Sequence, residues 1–247
     1  MTGPVRSLAI AWRGLRFRLW TIRLRGALRR HGMRLDVDAP WGVDFRGAPK
    51  LRLTHYADGR GELRIRVRRG ARIEPGLHLQ VETGASSELE LGERCELRAG
   101  VRIWLTGGAI RLGTGVIIRD QALLKSGGEL VFGEYSRFGY GSIIHCEERV
   151  EIGSRAGLAD LIFIIDSDHV HDGSDTWMMD QPTHSAPVRV GRNTLIGAHV
   201  VITRGAVIGS NSVVAARALV RRGEQPDGWL IAGAPAEPVR ALGDDDG

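Results

Sequence analysis

The chain has 247 residues, of which 43% are hydrophobic and 26% charged, proportions typical of a folded globular protein and not of a disordered tail or a membrane bundle. Nine of its 34 basic residues lie within residues 1–34, where none of the 29 acidic residues lies. This separation argues against a nucleic-acid-binding surface spread over the whole protein. The two cysteines, Cys95 and Cys146, form no CxxC motif, so we expect no disulfide or zinc framework and predict a cytoplasmic location.

Residues 1–35 form a basic amphipathic segment. Its apolar residues recur with the spacing of one helix face and are flanked by arginines: Leu8, Trp12, Leu15, Leu19 and Ile22. Two interpretations remain open. The helix could lie on an anionic membrane surface, which would make the protein peripheral at the inner membrane face. Alternatively, it packs on the end of the following domain as a cap. Residues 36–70 are predicted to be N-terminal strands that continue this cap.

From residue 71 to residue 225, aliphatic residues recur every six positions. The clearest run is Val190, Ile196, Ile202, Ile208, Val214 and Val220. A helix repeats its apolar residues every three or four positions and a strand every two, so a period of six fits neither. Three short strands per coil, each with one inward aliphatic side chain, explain the period. The sequence therefore predicts an all-β fold, a parallel β-helix.

The coils of this predicted β-helix are regular except at one point. Coil starts at residues 73, 91, 112, 132 and 152 are 18 to 21 residues apart, whereas the next start, at residue 190, comes 38 residues later. Residues 166–187 should therefore leave the solenoid as a loop. The C-terminal segment, residues 226–247, is expected to contain a short helix.

Two segments resemble the C-terminal signature of the hexapeptide-repeat acyltransferases, within them the sugar and polysaccharide O-acetyltransferases. They are Ala186 to Gly209, where small residues follow the aliphatic positions, and Ile231 to Ala236. The resemblance implies a left-handed β-helix, a homotrimer with active sites between subunits, and acetyl-CoA as acyl donor without a metal. It implies acetyl transfer to a hydroxyl of a sugar or polysaccharide precursor. An antibiotic or serine acceptor, and an inactive scaffold, remain alternatives.

The resemblance also identifies a general base. The family's catalytic histidine follows the glycine of the preceding hexad start by sixteen residues, which is His169 after Gly153. A neutral imidazole can take the proton of an attacking hydroxyl near neutral pH. His171 is the alternative, and Asp166 or Asp168 would orient the ring. The turn at Gly197 and Ala198 matches the family's N–H donor to the thioester oxyanion.

The remaining site residues concern coenzyme and acceptor. Positions that match the family's coenzyme A groove are Ala198, Ala215, Ala216, Arg221, Arg222 and Arg240. Arg217 stands where the family usually has glycine, so it either contacts a phosphate or narrows the groove. Tyr140 lies where the galactoside enzymes have asparagines, so their sugar pocket is not carried over. Acceptor contacts are expected from Tyr140, His171 and Trp177, although Trp177 could equally anchor its loop.

A metalloenzyme on the same fold is the main rival. The carbonic anhydrases of γ type bind metal through two histidines about five residues apart and a third one or two coils earlier. Here His169 and His171 are two residues apart and His145 lies 24 residues before His169, so the pattern fails.

Overall fold

The computed structural model of the chain describes residues 4–55 and 59–243 and, within the first helix, the side chains from Trp12 onward. A single N-terminal helix, α1 (Pro4–Arg29), precedes a nearly all-β parallel solenoid of about eight turns. The parallel β-helix predicted from the six-residue period is therefore confirmed, and its architecture is consistent with a left-handed β-helix.

Each full coil contributes one strand to each of three sheets, in which neighbouring coils pair in parallel. Sheet A contains β1 (Arg34–Asp38), β4 (Glu62–Val67), β7 (Ser87–Leu91), β10 (Ala109–Leu112), β13 (Glu129–Phe132), β16 (Arg149–Ile152), β21 (Val188–Val190), β24 (Ala206–Ile208) and β27 (Gly223–Gln225). Sheet B contains β2 (Asp44–Phe45), β5 (Arg72–Ile73), β8 (Glu96–Leu97), β11 (Ile117–Ile118), β14 (Arg137–Phe138), β17 (Gly157–Leu158), β22 (Leu195–Ile196), β25 (Val213–Val214), β28 (Trp229–Gly233) and the antiparallel β29 (Ala236–Ala241). Sheet C contains β3 (Lys50–His55), β6 (His78–Thr83), β9 (Arg102–Leu105), β12 (Leu123–Ser126), β15 (Ile143–Cys146), β18 (Phe163–Ile165), β23 (Val201–Ile202) and β26 (Leu219–Val220).

The core is a column of inward side chains that runs the length of the solenoid. The residues at the six predicted coil starts are all buried: Ile73, Leu91, Leu112, Phe132, Ile152 and Val190. Parallel pairing stacks them coil on coil, because Leu112 pairs with Phe132 and Phe132 with Ile152. Side chains alternate along each short strand, so the intervening residues face outward and are free to carry charge or function.

Both cysteines belong to this core. Cys95 and Cys146 are buried free thiols, and burial raises the pKa of each to about 12. The thiolate is the reactive form of cysteine, and such a pKa keeps the thiol protonated near neutral pH. Both side chains are therefore inert core residues in the folded protein.

Helix α1 packs across the first coil with a different face from the one predicted. The buried residues are Phe17, Thr21, Leu24 and Leu28, and the exposed ones include Trp12, Leu15, Leu19 and Ile22. The Phe17 ring meets the Phe45 ring edge to face, with centroids 5.4 Å apart. Both sets of residues have helical spacing, and only the contacts with β1 and β2 decide which set is buried. The helix does cap the solenoid, but the predicted stripe was wrong as its packing face.

The ends of the solenoid differ from the predicted boundaries. Strands β1 to β4 pair within the same sheets as later coils, so the solenoid starts at Arg34 and not at residue 71. The predicted C-terminal helix is wrong for the described residues up to 243, because β28 and β29 form an antiparallel hairpin there. Residues 166–187, which the sequence predicts to leave the solenoid, separate strands β18 and β21. They contain the hairpin strands β19 (Ser167–His169) and β20 (Thr183–Ser185) and a short 3-10 helix, Met178–Asp180.

Close approach of the coils makes Gly153 sensitive to substitution. A Cβ at Gly153 would lie 2.5 Å from the backbone nitrogen of Arg192 in the next coil, and the Gly153 N–H is held by the carbonyl of Val190. We expect Gly153→Ala to lower the free energy of unfolding by about 1–3 kcal/mol, measured by denaturant titration. The matched control is Gly26→Ala in α1, where no other atom lies within 4 Å. It should raise stability by about 0.5–1 kcal/mol, and equal effects of both changes would contradict the packing described.

Candidate functional site

The hairpin that leaves the solenoid holds His169 beside sheet C. Strand β19 follows β18 after a single residue, Asp166, and pairs antiparallel with β20, which places His169 opposite Thr183. Backbone pairing thus fixes a residue that the sequence placed only in a loop. The His169 side chain is half-buried at this position.

One contact of the His169 ring favours a particular tautomer. Its Nδ1 lies 3.5 Å from the carbonyl oxygen of Gln181, at the outer limit of a hydrogen bond. A carbonyl can only accept, so a hydrogen bond here requires the proton on Nδ1, and in the neutral ring of that tautomer Nε2 carries the lone pair. Gln181 is itself buried and fixed, because its Nε2 donates to the carbonyl of Thr176 and its Oε1 accepts from the N–H of Asp172.

Asp166 does not orient His169. Its carboxylate is fully buried and accepts the backbone N–H groups of Glu147, Glu148 and Arg149 at 2.7 to 2.9 Å. Residues three apart on an extended chain point to opposite faces, which explains why the expected contact with the imidazole is absent. Asp166 instead ties the start of the hairpin to the corner between β15 and β16 of the preceding coil.

Asp168 does not orient His169 either. Both of its carboxylate oxygens accept from Nε of Arg204, at 2.9 and 2.7 Å. Adjacent strand residues face opposite sides, so Asp168 points away from the ring of His169. The expectation of an aspartate partner is therefore corrected: a backbone carbonyl takes that position.

An open cleft of about 690 Å³ lies along sheet C next to His169. The outward residues on its floor come from successive coils: Glu82, Thr106, Lys125, His145 and Ile165. Sheet A presents a different surface, a ladder of alternating charges formed by Glu88, Arg111, Glu129 and Arg149. Such a ladder satisfies its own charges in solvent. The polar groups of sheet C are less completely paired than those of sheet A.

Two polar groups that line this cleft, on Glu82 and Thr106, and one beside it, on Trp104, have no partner in the described part of the chain. Nε1 of Trp104 and Oγ1 of Thr106 are buried without a hydrogen bond. The Glu82 side chain, only 9% exposed, has neither a hydrogen bond nor an ion pair among those residues. Buried polar groups are normally hydrogen-bonded, so these three mark positions where a ligand could donate or accept. They were not predicted from the sequence, although each directly follows a buried core residue, namely Val81, Ile103 or Leu105.

His145 and Lys125 lie in the middle of the cleft floor, on paired strands. Lys125 Nζ is 2.9 Å from Oε1 of Glu147 and 5.0 Å from the centroid of the Trp104 ring. Burial lowers the pKa of His145, and the nearby Lys125 charge lowers it further, whereas Glu147 acts in the opposite direction. This shift favours the neutral form of the His145 imidazole, which lies beside the candidate site.

The predicted oxyanion turn lies at the corner that leads from sheet B into sheet C. The Gly197 N–H donates to the carbonyl of Val214, whereas the Ala198 N–H has no hydrogen-bond partner among the described residues. A Cβ at Gly197 would lie 2.5 Å from the backbone nitrogen of Ala216, so close coil packing requires the glycine. Of the two predicted residues, Ala198 carries the N–H available to a ligand.

Arg217 lies directly beneath this turn, where its N–H donates to the carbonyl of Ala198 at 2.9 Å. Its φ of 63° is in the left-handed region, like those of Gly141, Leu161 and His199 at the same corner of other coils. That conformation suits glycine best, which agrees with the glycine that the family usually has at this position. Arg217 departs from that pattern. The Arg217 side chain is exposed, as are those of Arg221 and Arg222 at the end of the neighbouring strand β26.

Several predicted site residues lie outside the cleft. Arg240 is on the terminal strand β29 of sheet B, and Tyr140 packs beneath the guanidinium of Arg119, which donates to its hydroxyl at 2.8 Å. His171 and Trp177 are exposed on the loop beyond the hairpin, and Nδ1 of His171 is 3.1 Å from the carbonyl oxygen of His169. None of these four side chains lines the cleft of a single chain.

Residues 4–55 and 59–243 contain no group of three or more His, Cys, Asp or Glu side chains placed to hold a metal ion. The histidines considered for the rival metalloenzyme, at positions 145, 169 and 171, do not form one.

The lowered pKa of His145 predicts a measurable titration. We expect its ring to titrate below about 6.5, the ordinary histidine value, in an NMR pH series. Lys125→Met should move the midpoint upward, because a neighbouring positive charge disfavours protonation. Lys50→Met is the matched control, since Lys50 lies on β3, four strands from His145, and it should leave the midpoint unchanged.

The lowered pKa of His145 also makes the stability of the protein depend on pH. The folded state binds this proton less readily than the unfolded chain does, so the His145 contribution to stability falls as pH decreases through about 6.5. A His145 midpoint above that value in the native protein would contradict the environment described for its ring.

Comparisons with known proteins agree with this architecture. The sequence family described as bacterial transferase hexapeptide (six repeats) matches residues 187–222. A probable acetyltransferase of Mycobacterium tuberculosis is 35% identical over 132 residues, which are 53% of this chain and 44% of that protein. The galactoside O-acetyltransferase of Escherichia coli is 40% identical over 63 residues, 26% of this chain and 30% of that enzyme. The chain thus matches less than half the length of either relative.

Solved structures share the fold at lower identity. The polysialic acid O-acetyltransferase OatWY superposes with a TM-score of 0.57 at 20% identity, covering 77% of this chain and 88% of that one. A variant of AntD, an N-acyltransferase from Bacillus cereus in complex with dTDP and coenzyme A, gives 0.53 at 20% identity, covering 62% and 82%. At such identities the likeness concerns the fold alone. The six-residue repeat, the family description that matches residues 187–222 and the shared solenoid agree with the resemblance of this chain to the hexapeptide-repeat transferases.

Proposed function

We propose that the protein transfers an acetyl group from acetyl-CoA to a hydroxyl of a sugar or polysaccharide precursor, with His169 as general base. The observation that carries the proposal is the placement of His169 on a paired strand at the edge of the sheet C cleft. Its contact with the Gln181 carbonyl leaves Nε2 as the free base. The relatives named as acetyltransferases support the reaction class.

The proton transfer can be followed through the residues of the chain. His169 Nε2 takes the proton of the acceptor hydroxyl as its oxygen attacks the acetyl carbon, and the imidazolium then gives that proton to the departing thiolate. One C–O bond forms and one C–S bond breaks. The Gln181 carbonyl holds the Nδ1 proton throughout, and the imidazolium is stabilised by this contact.

The corner at Ala198 fits the acyl donor. Coenzyme A supplies the acetyl group as a thioester, whose carbonyl oxygen gains negative charge during attack. The unpartnered N–H of Ala198 is a suitable donor to that oxygen. Ala215 and Ala216 leave the corner unobstructed by large side chains, and the exposed Arg217, Arg221 and Arg222 are suited to its phosphates.

The shape of the cleft supports a glycan acceptor. Its floor runs from Glu82, next to the end of β6, to Ile165 on β18, which is four interstrand steps. At about 4.8 Å per step, the floor is roughly 19 Å long, enough for several linked sugar rings. Carboxylate, hydroxyl and indole N–H groups without partners, on Glu82, Thr106 and Trp104, match the hydroxyl groups of such an acceptor.

We also propose that the active protein is a homotrimer. Within one chain, Ala198 comes before the sheet C strand β23 of its coil, whereas His169 comes after the sheet C strand β18. The two residues therefore lie at opposite ends of the strands of this sheet. A complete site therefore needs the corner of a neighbouring chain. Outward residues of sheet C form an apolar column that such a neighbour would cover: Leu123, Ile143, Phe163, Val201 and Leu219. Cyclic association covers such a column in every subunit.

The trimer is tested by placing a charge in this column. Sedimentation velocity should give a trimer for the native protein and a monomer for Ile143→Asp, because an unpaired carboxylate would be buried at the interface. Val131→Asp is the matched control, since Val131 is equally half-buried and outward but lies on sheet A between Arg111 and Glu151. It should remain trimeric. A native protein that sediments as a monomer would remove the intersubunit site.

The role of His169 is tested by thiol release from acetyl-CoA in the presence of glycan acceptors. His169→Ala should lower turnover by about 10²–10⁴-fold, the usual contribution of a general base, with little change in acetyl-CoA affinity. The matched control is His171→Ala, which should keep most activity. If His171→Ala were inactive and His169→Ala active, His171 and not His169 would be the general base. Full activity in both variants would refute histidine-based transfer at this hairpin.

A further inference from the structure

We propose that the exposed face of α1 docks the protein on an anionic membrane surface. The helix has two apolar faces, and the solenoid covers only one of them. At 3.6 residues per turn, the exposed residues Trp12, Leu15, Leu19 and Ile22 lie almost diametrically opposite the buried residues Phe17 and Leu24. The apolar stripe predicted from the sequence therefore stays exposed even though the helix caps the solenoid.

The exposed apolar surface continues beyond the helix. Trp41, in the loop between β1 and β2, is 81% exposed and lies beneath the guanidinium of Arg18, 5.0 Å from Cζ to the ring centroid. Arg18 also donates to the carbonyl of Ala39, which fixes this loop against the helix. Two tryptophans thus border the same surface, and tryptophan favours the interface between lipid headgroups and acyl chains.

Charge selects an anionic lipid surface as the occupant. Helix α1 carries seven arginines and no acidic residue. Arg16 and Arg23 follow one edge of the stripe, and Arg18 and Arg29 follow the other. Among the described residues, Arg16, Arg23 and Arg29 form no ion pair, and all three are exposed. Long arginine side chains along both edges can reach anionic headgroups while the apolar stripe enters the membrane interface.

The helix would lie in the plane of the membrane surface. Nowhere in the described residues is a helix long and apolar enough to cross a bilayer. An amphipathic helix with a charged border instead buries its apolar face only at the headgroup boundary. The solenoid packed on the opposite face of α1 would then project away from the membrane.

This orientation has a consequence for the acceptor, which rests on the proposed function. Helix α1 packs on β1 and β2 of the first coil, and Glu82 marks the end of the cleft nearest to that coil. His169 follows β18, five interstrand steps from β3, or roughly 24 Å at about 4.8 Å per step. The cleft would therefore run from the membrane side toward His169, which suits a glycan whose far end is anchored in the lipid.

Vesicle co-sedimentation of the full-length protein tests the docking without any activity measurement. We expect binding to vesicles of phosphatidylcholine with phosphatidylglycerol, loss of binding at high salt, and little binding to phosphatidylcholine alone. The triple variant Arg16→Gln, Arg23→Gln and Arg29→Gln should weaken binding by about 100-fold, since each arginine near the surface contributes a factor of about five. Equal changes at Arg137, Arg155 and Arg192, exposed on the solenoid, are the charge-matched control and should have little effect.

A second triple variant, Leu15→Ser with Leu19→Ser and Ile22→Ser, tests the apolar stripe and should lower binding at least about tenfold. Its circular dichroism and denaturation midpoint establish whether α1 still packs on the solenoid. Binding equal to that of the native protein would overturn the proposal. The proposal would also be overturned if this variant bound vesicles as the native protein does but had a changed sedimentation coefficient, because the stripe would then contact another copy of the chain. Failure of the acetyltransferase proposal would leave these vesicle results unaffected.

Discussion

Parallel backbone pairing between successive coils is the constraint on which the rest of the structure depends. A strand of each coil can pair with the next only if the two backbones approach to about 4.8 Å, and every corner must then accept a neighbouring corner at the same distance. Glycines such as Gly153 and Gly197 meet this requirement, because a Cβ at either position would overlap the backbone of the next coil. The inward aliphatic column follows from the same stacking, since one apolar residue per strand suffices to fill the narrow interior.

This constraint leaves the outward residues free, and the three sheets use that freedom differently. Sheet A carries a ladder of paired opposite charges, whereas sheet C combines an apolar column with a polar cleft. The interruption of the solenoid at residues 166–187 lies on the same side as this cleft, and Asp166 anchors its start through three backbone hydrogen bonds. The candidate site thus lies at one break in the repeat, where the chain no longer has to pair with the next coil.

The six-residue period predicted the solenoid and its inward residues because that period is a direct consequence of coil stacking. The choice of His169 came instead from the family resemblance, through its distance from Gly153, and the structure places this residue beside the sheet C cleft. The partner of His169 could not be predicted, because it is a backbone carbonyl brought close by hairpin pairing and not a neighbouring carboxylate. Nor could the packing face of α1 be predicted, since both of its stripes are apolar with helical spacing and only tertiary contacts distinguish them. The C-terminal hairpin replaced an expected helix because β28 could continue sheet B.

We propose that His169 of one subunit and the Ala198 corner of its neighbour act together in each site. Co-expression of His169→Ala with Ala198→Pro, which removes the Ala198 N–H, tests it directly. Each variant alone should be nearly inactive in thiol release from acetyl-CoA. Random mixing in a cyclic trimer places an intact histidine beside an intact corner at about one quarter of the sites, so the mixture should regain about one quarter of the native activity. A mixture as inactive as either parent would contradict the account, because both groups would then act within a single chain.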